Sequence, residues 1–392
     1  MADLAQFRRE VAAWLEGNAP EALFGQPSKG NFDGYWGGVN PEYPGDDRHA
    51  WFERMVEKGW TAPTWPTAYG GAGLSHEEAA IVYAELRRLE LPLPLVGMGI
   101  FMLGPALLEY ASEAQKRAHL PAIAQGRVRF CQCYSEPQAG SDLAALGTRG
   151  VRDGDALVVT GQKIWTSYAD ASDWCFCLVR TNADVKKQAG ISFVLIDLRS
   201  PGVQTRRIEL ISGSSPFCEV FFDAVRVPLE NVIGGIDSGW TIAKAVLRYE
   251  RARIGTSVSD QMRDLEDDLV GKARAAAGVE GGVVPDPYAR DQIARVTMRA
   301  QAFSLTAQRL ARGAPGPESS IFKVVGTELK QARWELATRL LGPAGLGWAG
   351  DDFGQADLDA TRSWLRTRAN TIEGGTTEIQ LNIIARRVLG LK

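Results

Sequence analysis

The chain has 392 residues, of which 45% are apolar and 23% are charged, a balance typical of soluble globular proteins rather than disordered ones. This length exceeds that at which a single hydrophobic core usually stops growing, so we expect two or three domains. The formal net charge of −3, with both signs mixed along the chain, argues against nucleic acid as a partner.

Residues 1–128 are predicted to form an N-terminal helical domain. Apolar residues recur at three- and four-residue spacing in the first residues, in HAWFERMVEKGW and in SHEEAAIVYAELRRLE, where Ser75 is a candidate N-cap. The stretch TAPTWPTAYGGAG between them has too many prolines and glycines to be anything but a loop. The first residues lack the uninterrupted apolar run of a signal peptide, so we expect a cytoplasmic protein.

The uncharged segment LPLPLVGMGIFMLGPALL, residues 91–108, is a candidate membrane span by length. Three prolines and three glycines interrupt it, and charged helical segments flank it closely. Interior helices of large proteins are apolar on all sides, so we interpret this segment as buried core and expect no membrane association.

Residues 129–235 have a different residue pattern, which predicts a β-domain. The runs DALVVTGQKIWTS, WCFCLVRT, GISFVLIDL, GVQTRRIEL and CEVFFDAVRVP are short, rich in β-branched or aromatic residues, and separated by turn residues. This pattern predicts an antiparallel sandwich or barrel. Several runs are apolar on both faces, as expected for a sheet that lies between other domains.

All five cysteines fall in this middle region, and CQC and CFC invite comparison with zinc sites. A spacing of two residues instead places both sulfurs on one face of a strand, among apolar neighbours. Free cysteine behaves as a small buried hydrophobe, so we predict no metal site.

Residues 236–392 are predicted to form a C-terminal helical bundle. In DQIARVTMRAQAFSLTAQRLARG, one helical face carries apolar residues, namely Ile293, Val296, Ala300, Phe303, Ala307 and Leu310. IFKVVGTELKQARWELATRLLG and TTEIQLNIIARRVLG follow the same pattern. In the last of these, Thr376 is a candidate N-cap, and Gly390 follows two arginines as a C-terminal signal.

Four motifs, in order along nearly the whole chain, resemble those of the acyl-CoA dehydrogenase family of flavoproteins. They are SEPQAGSD (residues 135–142) with Thr148 after it, GQKIWTS (161–167), VFFDAVRVPLENVIG (220–234) and EGGTTEIQLNIIARRVLGL (373–391). The resemblance implies an α+β multidomain fold with an N-terminal helical domain, a central antiparallel β-domain and a C-terminal four-helix bundle. It also implies a flavin adenine dinucleotide (FAD) cofactor, an acyl-CoA substrate and electron-transfer flavoprotein as electron acceptor.

The same resemblance implies a homotetramer, or a heterotetramer with a homologous subunit, and a set of cofactor-binding positions. Oxidation of a thioester to its 2,3-enoyl form requires loss of an α-proton and a β-hydride, and the flavin accepts the hydride at N5 because side chains cannot. Ser141 and Arg251 are the expected substrate-binding residues. The positions expected to contact the flavin are Tyr134, Ser135, Gly140, Ser141, Trp165, Thr166, Ser167, Thr376 and Glu378.

The catalytic base departs from the usual pattern of the family. The C-terminal loop alignment places Gly374 at the usual base position, with Glu373 just before it. Glycine cannot abstract a proton, but its backbone N–H can donate to the thioester carbonyl, as the resemblance implies. Some family members carry the base on a bundle helix before an arginine, which here is Glu250 before Arg251. Glu250 is the preferred base, and Glu373 is the alternative.

The adenosine end of the cofactor site also departs from the family pattern. The usual Phe-Gly pair is missing from GKARAAAGVEGGVVPDP, where Arg274 is a possible substitute, and Pro343 replaces a glycine in RLLGPAGLGW.

A helix-borne base favours a branched or bulky acyl group. Gly97 and Gly99 either leave room for such a group or simply allow tight packing of the protein. A non-catalytic partner subunit of a heteromeric dehydrogenase is the alternative function, and an oxidase of the same fold is a third.

Overall fold

The computed structural model describes residues 3–28, 33–41, 45–261, 265–277, 283–310 and 316–391. By proximity of Cα atoms the chain separates into two compact units. The first comprises Met1–Ile208 and Pro216–Val246, and the second comprises Glu209–Ser215 and Leu247–Lys392. The domain boundaries predicted from the sequence, at 128/129 and 235/236, stay a prediction.

The N-terminal part of the first unit is helical, as predicted. Its helices are α1 (Leu4–Asn18), α2 (Asp46–Glu57), α3 (His76–Arg88), α4 (Gly104–Tyr110) and α5 (Glu113–Ala124). Ser75 begins α3 with a capping box: its side chain accepts from the Glu78 N–H, and the Glu78 carboxylate accepts from the Ser75 N–H. Apolar faces of α1, α2 and α3 pack together through Leu15, Met55 and Val82, all fully buried.

The apolar segment at residues 91–108 is buried core, as the sequence predicts. It enters a π-helical turn at Gly99–Leu103 and continues as α4. Within the described ranges, no helix is both long enough and apolar enough to cross a membrane. A methyl group on Gly99 would lie 3.2 Å from Ile123, and one on Gly97 would lie 3.5 Å from Trp36, so these glycines pack against protein side chains.

The rest of the first unit is one eight-stranded sheet. Its strands are β1 (Phe130–Cys133), β2 (Arg149–Asp153), β3 (Ala156–Ser167), β4 (Trp174–Arg180), β5 (Ile191–Asp197), β6 (Val203–Ile208), β7 (Phe217–Pro228) and β8 (Val232–Ile233). The spatial order is β6-β7-β3-β2-β4-β5-β8, with β1 beside β4. Strands β3 to β7 confirm the five predicted runs. The sheet is antiparallel except where β4 meets β1 and β2, both in parallel register.

The five cysteines are free and buried in the core of this sheet. Parallel pairing of β1 with β4 sets Cys131 opposite Cys175 and Cys133 opposite Cys177. In the part of the chain that the structure describes, no group of three or more candidate ligands is arranged to hold a metal ion.

The C-terminal helices are α6 (Gly239–Gln261), α7 (Leu265–Ala277), α8 (Pro287–Leu310), α9 (Ser320–Leu340), α10 (Gln355–Thr367) and α11 (Thr377–Ile383). The predicted face of α8 packs against α7 and α9, and its Ile293, Val296, Ala300 and Phe303 are buried. Thr376 begins α11, and its side chain accepts from the Ile379 N–H. The predicted order of N-terminal helices, central sheet and C-terminal helices is therefore confirmed.

Candidate active site

Glu250 and Gly374, which the motif alignment predicted as the base and the carbonyl donor, lie against each other in the second unit. Glu250 is half-buried near the middle of α6, and Gly374 lies in the turn at residues 368–376 between α10 and α11. A methyl group on Gly374 would lie 3.1 Å from Oε1 of Glu250, closer than ordinary van der Waals contact. Because residue 374 has no side chain, the space beside the Glu250 carboxylate stays open.

The peptide groups of Gly374 are used unequally. Its carbonyl oxygen accepts from Nε2 of the buried Gln380, at 3.1 Å. Its backbone φ is +62°, a left-handed value that favours glycine. Its N–H donates to no acceptor in the described part of the chain. The turn thus presents an unused backbone donor beside a carboxylate.

Glu373, the alternative base, makes one side-chain contact to the end of α10 and one within its own turn. One carboxylate oxygen accepts from Nη2 of Arg366 at 2.8 Å, and the other accepts from the Asn370 amide. Both oxygens are therefore engaged by donors, one of them a permanent cation. This arrangement anchors the turn.

Three other residues of the second unit that the sequence analysis named lie on α6, α7 and α11. Glu378 is exposed in the first turn of α11, where hydrogen bonds from its own backbone N–H and the Thr376 hydroxyl lower its pKa. Arg251 is half-buried, and burial lowers the pKa of its guanidinium. Its Nε atom is buried without a hydrogen-bond partner in the described ranges. Arg274 is exposed at the end of α7.

In the first unit, the loop from Tyr134 to Thr148 is fixed by a buried ion pair. Lys163 on β3 and Glu136 in the loop are both inaccessible, and their Nζ and Oε1 atoms are 2.7 Å apart. Glu136 also accepts from the N–H groups of Gly147 and Thr148, at 2.6 and 2.9 Å, and Lys163 donates to the Tyr134 carbonyl at 3.2 Å. Burial raises the pKa of Glu136, but Lys163 and these hydrogen bonds outweigh it, so its pKa is lowered.

Trp165 occupies an unusual backbone position at the end of β3. Its φ is +60°, and it lies within an irregularity of the β3–β7 ladder between Lys163 and Thr166. The side chain is 52% exposed, and its ring lies nearly perpendicular to the Phe217 ring, with the two centroids 6.0 Å apart. A left-handed conformation costs on the order of 1–3 kcal/mol in a residue of this type, and such strained residues cluster at functional sites.

The remaining predicted flavin positions of the first unit lie in this loop and at the end of β3. Thr166 is buried, Ser167 and Ser135 are half-buried, and the Ser135 carbonyl accepts from the Ile164 N–H at 2.9 Å. Gly140 and Ser141 are exposed, and a methyl group on Gly140 would meet no atom within 4 Å.

These residues fit a bound isoalloxazine group. They present an open aromatic surface at Trp165 and hydroxyls at Ser135 and Ser141. The side-chain amide nitrogen of Gln132, on β1, is buried and has no hydrogen-bond acceptor among the described residues, so this donor remains available.

Sequence reasoning missed the residues that support these two sites. Glu136 lies inside the motif SEPQAGSD and Lys163 inside GQKIWTS, but the sequence analysis predicted no role for either. A lysine at an inward position of a strand is itself a sign of a buried ion pair. Lys323 is a buried lysine on the apolar face of α9. Arg366 and Asn370 lie outside the motifs, and no pattern in the sequence points to them.

Three family models cover the chain in order. Those described as the N-terminal, middle and C-terminal domains of acyl-CoA dehydrogenase match residues 38–127, 131–225 and 237–389. The chain belongs to the acyl-CoA dehydrogenase family. It is therefore an FAD-dependent oxidoreductase that acts on acyl-CoA, as the motifs predicted.

Individual relatives match this chain along its full length. Acyl-CoA dehydrogenase IpdE1 of Mycobacterium tuberculosis is 38% identical over 404 aligned residues, which cover 100% of this chain and 98% of the relative. A solved protein described as the Tcur3481-Tcur3483 steroid ACAD has a TM-score of 0.77 at 29% identity, covering 100% of this chain and 98% of that one. The ChsE4-ChsE5 complex from Mycobacterium tuberculosis has a TM-score of 0.75, also at 29% identity, with coverage of 100% and 98%.

Proposed function

We propose that this acyl-CoA dehydrogenase oxidises a bulky acyl-CoA thioester, branched or ring-bearing, to the 2,3-enoyl-CoA, with Glu250 as the base. The observation that carries the proposal is that Oε1 of Glu250 lies 3.1 Å from the position that a Cβ atom on residue 374 would occupy. A carboxylate from the helix and a side chain from the turn cannot both occupy this position. Because glycine stands in the turn, the carboxylate from α6 is the group that faces it.

In the proposed reaction, Glu250 takes the proton from Cα of the acyl group. Cβ loses a hydride, for which bound FAD supplies the acceptor, and the two electrons left on Cα complete the 2,3-double bond. Trp165, Ser135, Ser141 and Ser167 are the residues that would hold the flavin ring.

The N–H of Gly374 would donate to the thioester oxygen as negative charge develops on it. Such a donor typically contributes about 3 kcal/mol to stabilisation of the transition state. The Gln380 side chain holds the Gly374 carbonyl, which belongs to the next peptide group of the same turn. Glu373 would orient the turn through Arg366 and Asn370, and its paired carboxylate is a poorer candidate for the base.

The substrate class draws support from two sources. A helix-borne base accompanies branched or long acyl groups in the family, by the resemblance described above. One solved relative, at 29% identity, is described as a steroid ACAD. Ring-bearing acyl-CoA thioesters of steroid origin are therefore the first compounds to test, and electron-transfer flavoprotein is the proposed acceptor.

A second candidate function is a partner subunit within a heteromeric dehydrogenase. The ChsE4-ChsE5 relative was solved as a complex of two chains, which favours a hetero-oligomeric assembly here as well. A heteromeric assembly is compatible with a catalytic role for this chain, because Glu250 is present and faces Gly374. We therefore prefer the catalytic function within either a homomeric or a heteromeric assembly.

The test is anaerobic reduction of the bound flavin by straight, branched and ring-bearing CoA thioesters. The proteins to compare are the wild type, Glu250→Gln and Glu373→Gln, each checked for FAD content. We expect Glu250→Gln to lose about 10²–10⁴-fold in rate, the usual contribution of a general base. Glu373→Gln should lose much less. Loss of reduction only in Glu373→Gln would assign the base to the turn, and a wild type that no thioester reduces would favour the partner-subunit function.

A further inference from the structure

Lys323 is a charged side chain buried beneath the proposed active site, and the mechanism above does not use it. It lies on α9 with 1% of its surface exposed. Its Nζ donates to the carbonyl oxygen of Asn370 at 2.7 Å, the one acceptor that it has in the described part of the chain. A lysine ammonium carries three donors, and a buried ammonium with a single hydrogen bond is costly. The burial of the Lys323 ammonium at this place therefore requires an explanation.

The position of Lys323 relative to Glu250 suggests that reason. The methyl position on Gly374 lies 3.9 Å from Cε of Lys323 and 3.1 Å from Oε1 of Glu250. These two atoms are thus at most about 7 Å apart, the sum of the two distances. The two groups interact electrostatically, because the charge of Glu250 acts to raise the pKa of Lys323 against the effect of burial. The interaction is reciprocal, so the positive charge of Lys323 favours the ionised form of the Glu250 carboxylate.

Further charges face this region from each element packed around it. Burial lowers the pKa of Lys323, while Glu373, Glu250 and Glu378 act in the opposite direction and favour its charged form. The Glu373 carboxylate is already paired with Arg366, at 2.8 Å. The other nearby charged groups of the described residues are Arg248 and Arg251 on α6 and Lys330 on α9.

We propose that Lys323 is a positioning residue for the dehydrogenation, which holds the turn at 370–375 through the Asn370 carbonyl and keeps Glu250 ionised through its positive charge. This role rests on the proposed function of Glu250. It adds a distinct requirement, that ionisation of the base depends on a cation supplied by another helix, α9.

The two parts of the role make different demands on the side chain. Holding Asn370 needs a donor, whereas keeping Glu250 ionised needs a charge. Lys323→Arg retains both, Lys323→Gln retains a donor without the charge, and Lys323→Met retains neither. Lys330→Met is the matched control, because Lys330 lies two helical turns further along α9 and, like Lys323, interacts electrostatically with Glu373.

The experiment measures the rate of anaerobic flavin reduction as a function of pH, using the best thioester from the panel above and the FAD-loaded protein. Loss of the positive charge should make Glu250 harder to ionise. We therefore expect the acid limb of the profile to move to higher pH by about one unit in Lys323→Met and Lys323→Gln. Lys323→Arg and Lys330→Met should keep the acid limb of the wild type.

Each outcome decides between the roles. An unmoved acid limb in both uncharged variants, even with a lower rate, would show that Lys323 has only a structural role. If Lys323→Met fails to fold, the Gln and Arg variants still separate charge from hydrogen bonding. If Glu250→Gln reduces flavin normally, the proposed base is wrong and this inference fails with it. If Glu250→Gln is inactive and the limb does not move, this inference alone fails.

Discussion

Replacing Gly374 by alanine tests the contact on which the proposed base depends. The added Cβ would lie 3.1 Å from Oε1 of Glu250, so the carboxylate must move by a few tenths of an ångström. Misplacement of a reacting group by about 1 Å costs about 10²-fold in rate. We therefore expect flavin reduction by the thioester to slow by about tenfold. The left-handed φ of +62° should also lower the free energy of unfolding by about 1 kcal/mol.

Gly154 provides a matched control for the backbone strain. It also has a φ of +62°, in the turn between β2 and β3, but a methyl group there would meet no atom within 4 Å. Gly154→Ala should show the same loss of stability, about 1 kcal/mol, with an unchanged rate. Denaturant unfolding and anaerobic stopped-flow measurements on both variants provide the comparison. A wild-type rate in Gly374→Ala, with the stability loss present, would refute the claim that Glu250 acts from this position.

Three further predictions concern the first unit. Lys163→Met leaves Glu136 buried without its cation and should lower the free energy of unfolding by about 3–5 kcal/mol in denaturant titrations. At the exposed ion pair with Asp153, Arg226→Met should cost about 1 kcal/mol or less, and equal costs would contradict the account of the buried pair. Because the folded pKa of Glu136 is below 4.5, its contribution is present above pH 4.5 and is lost as pH falls through the folded value. Thermal unfolding midpoints should therefore fall less steeply with acid in Glu136→Gln. The five buried cysteines should react with a thiol reagent only after unfolding, and one rapidly titrated thiol in the native protein would show an opening of the sheet core.

The elements that could be predicted are those whose local pattern carries the information. Alternating and β-branched runs identified strands β3 to β7, because a sheet buried against other elements selects these residue types within each strand. Three- and four-residue spacing identified α3 and α8, and Ser75 marked a helix start through its side-chain oxygen. The short strands β2 and β8 lack such a pattern, and the parallel pairing of β4 with β1 depends on contacts between distant segments.

The site was predictable only in part, for a similar physical reason. Alignment of motifs brought Glu250 and Gly374 forward, and the structure places them together. It could not show that Glu373 is engaged by Arg366, because that contact depends on how the turn folds. Lys323 was passed over because a lysine in an amphipathic helix is usually solvated, and its burial becomes visible only once the Asn370 carbonyl is found against it.

The buried pair of Lys163 and Glu136 has a consequence for how the protein acquires its cofactor. These side chains close the loop at residues 134–148 onto β3 with contacts that belong entirely to the chain. Because these contacts need no flavin atom, we expect the loop to keep this shape in the apoprotein. Cofactor loading then meets a preformed surface, and little conformational entropy remains to be lost on binding. Refolded apoprotein should therefore regain activity when FAD is added afterwards.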